Sequence, residues 1–292
     1  MSRMEALGRV SLRPRGAAEG TFAGPHISVY RGTGVEFSDY RSYSEGDDIR
    51  LVDWKLYAKC DRHYVRVYEA ERNLLTYLVV DTSGSMEYAG AVQTTDSKLR
   101  YAGLLAAALS FLVVREGDEV SLALAGDVVH EYLPPRGSWM QLRTLVAALE
   151  SATATGTTRL GDCLETVYTR VSRRGVLIIL SDFLDFSPRL WTAIDLFRRS
   201  KFDVMVFHII HPEEMELPDV GAARFLDAES ADAMFKVEPD VIRTLYRDRV
   251  SDFLRTIEGG CRARGCDWYL ARTDADPYVF LKRCVLARDV VV

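Results

Sequence analysis

Three short, almost unbroken apolar runs constrain this chain more than any other feature: Leu74 to Val80 (LLTYLVV), Val176 to Leu180 (VLIIL) and Val204 to Ile210. Such runs without polar alternation mark strands buried on both faces, and those strands belong to sheets covered by helices on each side. Segments of helical length and pattern separate them: Lys98 to Val114, Trp139 to Glu150, Leu160 to Val171, and Pro188 to Arg199. The last is opened by Ser187 and Pro188, an N-cap followed by proline in the first turn. Glu119 to Leu124 reads as a further strand, with Val128 to Leu133 as its short partner across the Gly126-Asp127 turn. A polar excursion from Pro212 to Glu238 precedes a helix from Pro239 to about Ile257. Trp268 to Ala271 and Pro277 to Leu286 supply a last strand and helix. Strand alternating with helix predicts an α/β fold, a doubly wound and mostly parallel sheet over residues 73–292.

Upstream the pattern changes. Residues 1–20 read as a flexible polar arm, and residues 21–72 as a small β-rich segment dense in aromatic side chains, glycines and mixed charges. Tyr64 to Glu69 alternates well enough to be one strand, at an edge. The 37 basic and 42 acidic residues leave a net charge of −5, so no overall basic field exists to recruit nucleic acid. Five cysteines with no two-residue spacing between any pair point to reduced thiols in a cytosolic protein. The longest apolar stretch, Leu104 to Val114, is shorter than the roughly 18 residues that span a bilayer. No membrane span and a cytoplasmic location are therefore expected.

In a doubly wound sheet, ligands bind outside the carboxyl ends of the strands. The first buried run is followed by Asp81-Thr82-Ser83-Gly84-Ser85 and the VLIIL run by Ser181-Asp182. Thr155-Gly156-Thr157-Thr158 precedes the helix at Leu160. These loops bring two carboxylates and several hydroxyls, but no histidine or cysteine, to one rim. Hard oxygen donors of this kind suit Mg²⁺ or Mn²⁺ and serve zinc or copper poorly. Asp81, Ser83, Ser85, Thr158 and Asp182 are the candidate metal-binding residues, and few formal charges around the ion leave it receptive to a partner's carboxylate. The same loops are also good N-cap turns, since Asp, Ser and Thr satisfy free amides before helices.

The Asp81-x-Ser83-x-Ser85 motif ending a buried strand, Thr158 in its Gly-Thr-Thr loop and Asp182 after a later strand together resemble a von Willebrand factor type A domain. In that family these positions form a metal-ion-dependent adhesion site, and the fold is Rossmann-like. Gly34-Val35-Glu36-Phe37-Ser38-Asp39-Tyr40-Arg41, Gly46-Asp47-Asp48-Ile49-Arg50, Asp53-Trp54-Lys55, Ala58-Lys59 and Val65-Arg66 look like the signature of the bacterial domain-of-unknown-function family fifty-eight. His208-x-x-x-Pro212-x-Glu214 and Leu217-Pro218 are similar too, although His211 stands where that family more often has an acidic residue. The resemblance implies a non-enzymatic, metal-dependent protein-interaction module with Mg²⁺, or else Mn²⁺ or Ca²⁺. It also implies a MoxR-type AAA+ ATPase as partner, because members are commonly encoded beside one. The alternative is a metal-dependent phosphohydrolase using Asp81, similar to haloacid-dehalogenase-like phosphatases. Those need a second aspartate two residues on, where this chain has Ser83. Neither nucleotide-binding glycine motif occurs, nor a G-x-S-x-G serine elbow.

Elsewhere structural roles are expected. Asp47, Asp48, Arg50, Asp53 and Lys55 read as an ion-paired turn, and Trp54 and Tyr57 as packing or protein-interface residues. Cys261 and Cys266 read as buried thiols, and Glu87 and Asp185 as surface acids. His208 and His211, three apart at a strand end, face opposite ways and do not share a metal.

Overall fold

A computed structural model of the chain describes residues 35–47, 49–70, 74–90, 96–185, 187–216, 223–226, 234–237 and 239–289. The arm expected over residues 1–20, and Gly34, Asp48 and Leu217-Pro218 of the motifs, lie outside the described residues. The chain divides into a small unit within Thr21–Asn73 and a large one running from Leu74 to the C-terminus. No helix among the described residues is long and apolar enough to cross a membrane.

The small unit pairs β1 (Val35–Ser42) with β2 (Tyr64–Ala70) antiparallel, with a register shift between Phe37 and Asp39. Between them lie a 3-10 turn, Ile49–Leu51, and a two-turn helix, α1 (Trp54–Cys60). The broken alternation of this region predicts strands and turns only. The helix forms because Asp53 is an N-cap: its Oδ1 accepts from the backbone N–H groups of Lys55 and Leu56 at 2.9 and 3.1 Å. Tyr40 donates its hydroxyl to the other oxygen at 3.0 Å. Asp53 therefore starts a helix, and Arg41 and Asp47 of the same segment form a salt bridge, at 2.8 Å.

In the large unit the apolar runs become the middle of a six-stranded sheet. Its strands are β3 (Leu75–Asp81), β4 (Glu119–Ala125), β5 (Val129–Arg136), β6 (Val176–Ser181), β7 (Asp203–Ile210) and, after a short hairpin, β10 (Asp267–Arg272). Their order is β10-β7-β6-β3-β4-β5, parallel throughout except for β5 on its edge. The first strand of the sheet thus lies inside it, with β4 on one side and β6 on the other. The chain reverses its direction of winding there, and the crevice that such a reversal opens sits at the carboxyl end of β3.

Alternate residues of each central strand feed two cores. Leu78 and Val80 of β3 pack under α2 (Lys98–Arg115), α3 (Trp139–Ser151) and α8 (Pro277–Asp289). Tyr77 and Val79 pack under α4 (Leu160–Thr169), α5 (Pro188–Arg199) and α7 (Pro239–Ala263). Helices on both faces remove the strands from water, which is why the runs tolerate almost no polar residue.

The large unit departs from the sequence reading in two places. The excursion from Pro212 to Glu238 holds a short helix, α6 (Pro212–Met215), and an antiparallel hairpin of β8 (Ala223–Leu226) and β9 (Met234–Val237). And α7 runs on past Ile257 to Ala263, through Gly259-Gly260. Gly260 is a packing site there instead of a stop: a Cβ on it would come within 2.3 Å of the Trp191 ring. Continuing the helix also buries Cys261 on the same face as Ile257.

Candidate functional site

The carboxyl ends of β3 and β6, with the loop before α4, converge at the reversal point. Thr82 donates its backbone N–H to Ala125 O at 2.7 Å, Thr155 donates to Thr82 O at 2.9 Å, and Gly84 donates to Gly156 O at 2.9 Å. The first ties the Asp81–Ser85 turn to the end of β4, and the other two lace it to the Thr155–Thr158 loop. Gly156 takes a left-handed φ of 71°, which leaves its carbonyl free to receive Gly84.

All five candidate residues are buried here: Asp81, Ser83, Ser85, Thr158 and Asp182. Asp81 accepts from the Ser83 N–H at 2.9 Å through Oδ1 and from the Ser181 hydroxyl at 2.5 Å through Oδ2. The Ser83 and Ser85 hydroxyls are 3.1 Å apart and share a hydrogen bond. Thr158 Oγ1 has no hydrogen-bond partner among the described residues, although it is buried. Burial first, and repulsion from Asp182 second, push the Asp81 carboxyl up to about 7; the hydrogen bonds from Ser181 and Ser83 only partly offset them.

Asp182 is fixed by a strained turn. Phe183, next in the chain, is buried with a left-handed φ of 57°, a conformation that costs a residue with a Cβ of order 1 kcal/mol. It lets the Phe183 N–H reach Ser181 Oγ at 2.9 Å and the Leu184 N–H reach Asp182 Oδ1 at 3.2 Å. The other oxygen, Oδ2, accepts from Lys98 Nζ at 2.7 Å.

Beside Thr158 opens a cavity of about 190 Å³ lined by Arg159, Asp162, Asp185 and Arg189 among others. Both arginines are tied to Asp162, at 2.8 and 2.5 Å. The Arg189 guanidinium, through its hydrogen bond, holds the Asp162 carboxyl below its usual range.

Over residues 39–253 the chain matches the family described as "Protein of unknown function DUF58". The chain belongs to the DUF58 family. Its relatives include uncharacterized proteins Mb1516 of Mycobacterium bovis and Rv1480 of Mycobacterium tuberculosis. Each is 30% identical over 291 residues, 97% of this chain and 89% of the relative. Among solved structures, the conserved hypothetical protein BatB from Bacteroides thetaiotaomicron aligns with a TM-score of 0.50 at 15% identity. That match covers 75% of this chain and 100% of BatB, and speaks for the fold alone. The SpRpn10 VWA domain aligns more loosely, with a TM-score of 0.40 at 10% identity over 73% of this chain and 94% of that domain. This DUF58 chain has a von Willebrand factor A-like fold, as its motifs led one to expect.

Three side chains of this DUF58 protein join the site without having been singled out for it. Ser181 bonds Asp81, Lys98 bonds Asp182, and Glu214 of α6 accepts from Lys98 Nζ at 2.5 Å. Lys98 did carry a signal. It lies in register with Tyr101, Ala102, Leu105 and Leu109, the buried stripe of α2, so an i, i+3, i+4 count places its stem inward. The two histidines separate as expected. His208 packs among Phe183, Phe253 and Trp268, whereas His211 caps α6 by accepting from the Glu213 N–H through Nδ1 and lies against Tyr88.

Cation ligation here would have to rest on hydroxyls with two carboxylates: no cluster of three or more His, Cys, Asp or Glu side chains suited to a metal occurs among the described residues. The donor set fits a hard divalent ion on that basis. The orphaned Thr158 oxygen and the two mutually repelling carboxylates are what such an ion would satisfy.

Proposed function

We propose that this protein is a non-enzymatic interaction module whose rim, formed by Asp81, Ser83, Ser85, Thr158 and Asp182, holds a divalent cation, Mg²⁺ first, that captures a carboxylate of a partner protein. The von Willebrand factor A-like fold is that of a protein-interaction module; the metal and the carboxylate are the finer reading. One observation carries it: Thr158 Oγ1 is buried without a partner on the same rim as two crowded acids and two serine hydroxyls. A buried hydroxyl left unpaired costs about 1–3 kcal/mol, and an oxygen-seeking cation would offset that cost.

A bound ion supplies an electrophilic position for an incoming carboxylate. The protein's own residues prepare it. The Ser83 N–H and the Ser181 hydroxyl hold the Asp81 carboxyl in place. The shared bond between Ser83 and Ser85 keeps both hydroxyls together. Position 83, where a phosphohydrolase of the haloacid dehalogenase kind needs its second aspartate, offers only a hydroxyl engaged with Ser85.

Calorimetric titration of Mg²⁺ and Mn²⁺ into chelator-stripped protein tests the reading. Wild type is expected to bind one ion, and Asp81→Ala and Thr158→Ala to bind none or at least about tenfold more weakly, with circular dichroism unchanged. Equal affinity in Asp81→Ala would remove the metal from the function. For the partner, the reading favours a MoxR-type AAA+ ATPase, on the strength of the family resemblance. Co-purification with such an ATPase should require Mg²⁺ and be lost in chelator or in Asp81→Ala. Turnover of a phosphate ester that depends on Asp81 would instead establish the enzyme.

A further inference from the structure

Lys98 stands where an ammonium is least welcome. It is fully buried, and it opens α2 directly after the N-cap Ser97, at the positive end of that helix's dipole. An ammonium so placed needs carboxylates to pair with, because burying a lone charge is costly. Its Nζ bridges Asp182 Oδ2 at 2.7 Å and Glu214 Oε1 at 2.5 Å. Glu214 is itself held: Oε2 accepts from the His211 N–H at 2.8 Å in the capping box of α6, and its carbonyl accepts from the Tyr246 hydroxyl at 2.9 Å. With Leu184 N–H on Oδ1 and Lys98 on Oδ2, both Asp182 oxygens already have a donor within the protein.

We propose that Lys98 is the resident counter-cation of this rim, a positioning residue that competes with a divalent ion for Asp182, and that Glu214 sets the strength of that competition by drawing the same ammonium away. This inference rests on the metal reading above. An ion that meets Asp182 already neutralised takes its formal negative charge from Asp81 alone, so it binds weakly and keeps its appetite for a partner's carboxylate. Because Glu214 belongs to α6, the strength of cation binding is tied to the segment that follows β7.

Mn²⁺ affinity is the readout, measured by calorimetry on wild type, Lys98→Met, Glu214→Gln, Asp182→Asn and the double variant of Lys98→Met with Asp182→Asn. Lys98→Met is expected to bind Mn²⁺ about tenfold or more tightly, and Glu214→Gln several-fold more weakly, because Lys98 pairs directly with the Asp182 carboxylate and Glu214 with Lys98. In the Asp182→Asn background the gain from Lys98→Met should largely vanish, because the competition runs through that carboxylate. A second signature separates positioning from mere packing. Lys98→Met should melt lower than wild type in chelator and recover more of its melting temperature when Mn²⁺ is added. Binding by Lys98→Met where wild type shows none would support the inference most directly. If wild type binds Mn²⁺ but Lys98→Met does not tighten it, or tightens it equally without Asp182, the inference is overturned and the metal reading stands. If neither wild type nor Lys98→Met binds an ion, the metal reading fails and takes this inference with it. Should Lys98→Met not fold, Glu214→Gln carries the test, and unchanged or tighter binding there overturns the proposal.

Discussion

Two buried titratable residues pull the stability of the metal-free protein in opposite directions. Asp81 has a carboxyl raised from 3.8 to about 7 by burial and by Asp182, so the folded state holds its proton more tightly than the unfolded chain. Stability from this group is complete below about pH 4 and is lost as the pH rises through about 7. His208 is the reverse. Burial first, with Lys98 adding to it, lowers its imidazole from 6.5 to about 4. The unfolded chain then binds the extra proton, and stability is lost as the pH falls from about 6.5 to about 4. Over the shared window the two largely offset in wild type. Asp81→Asn should expose the His208 dependence, a rise in stability with pH, and His208→Phe should expose the fall due to Asp81. Each amounts to about 3 kcal/mol across the window. Urea unfolding in chelator between pH 4.5 and 7.5 measures both, and parallel curves for the two variants would refute the assignment. At this scale the sequence showed which oxygens share the rim, because strand ends and turn residues are local signals. It did not show that Ser181 would bond Asp81, since the two lie 100 residues apart.

Elements are held here by caps and by close approaches as much as by apolar faces. Asp53→Ala removes an acceptor of two backbone N–H groups and of the Tyr40 hydroxyl, and should destabilise the small unit by about 1–2 kcal/mol, while Asp53→Asn keeps the cap and costs less. Hydrogen exchange over residues 54–60 would read the difference; equal protection in the two variants would contradict it. Between α4 and α5 the contact is backbone-close. A Cβ at Gly161 would come within 2.8 Å of Arg189 C and Leu190 N. Gly161→Ala should therefore force the helices apart and cost about 1–3 kcal/mol by denaturant titration, with no change in helix content. Neither feature followed from periodicity. The α1 segment is too short for its pattern to outweigh the surrounding strands, and the glycine at 161 reveals its purpose only against the neighbouring helix.

Both hydrophobic cores of the large unit draw on residues from Leu74 onward. A fragment beginning at Leu74 should for that reason unfold cooperatively and bind the same number of ions as the full chain, measured by circular dichroism and calorimetry. Non-cooperative melting would show that residues 21–73 complete the core. The strands of the six-stranded sheet, the longer helices between them, the mostly parallel pairing and the three oxygen-bearing loops were legible in the sequence by itself, because burial on both faces, helical periodicity and turn chemistry are each written in a few consecutive residues. Strand order was decided only by the tertiary structure, and with it the placing of Asp81 at the reversal point between β4 and β6. So was the Lys98 bridge, whose partners lie 84 and 116 residues away. A contact at that separation depends on how the helices close over the sheet, and no local pattern encodes it.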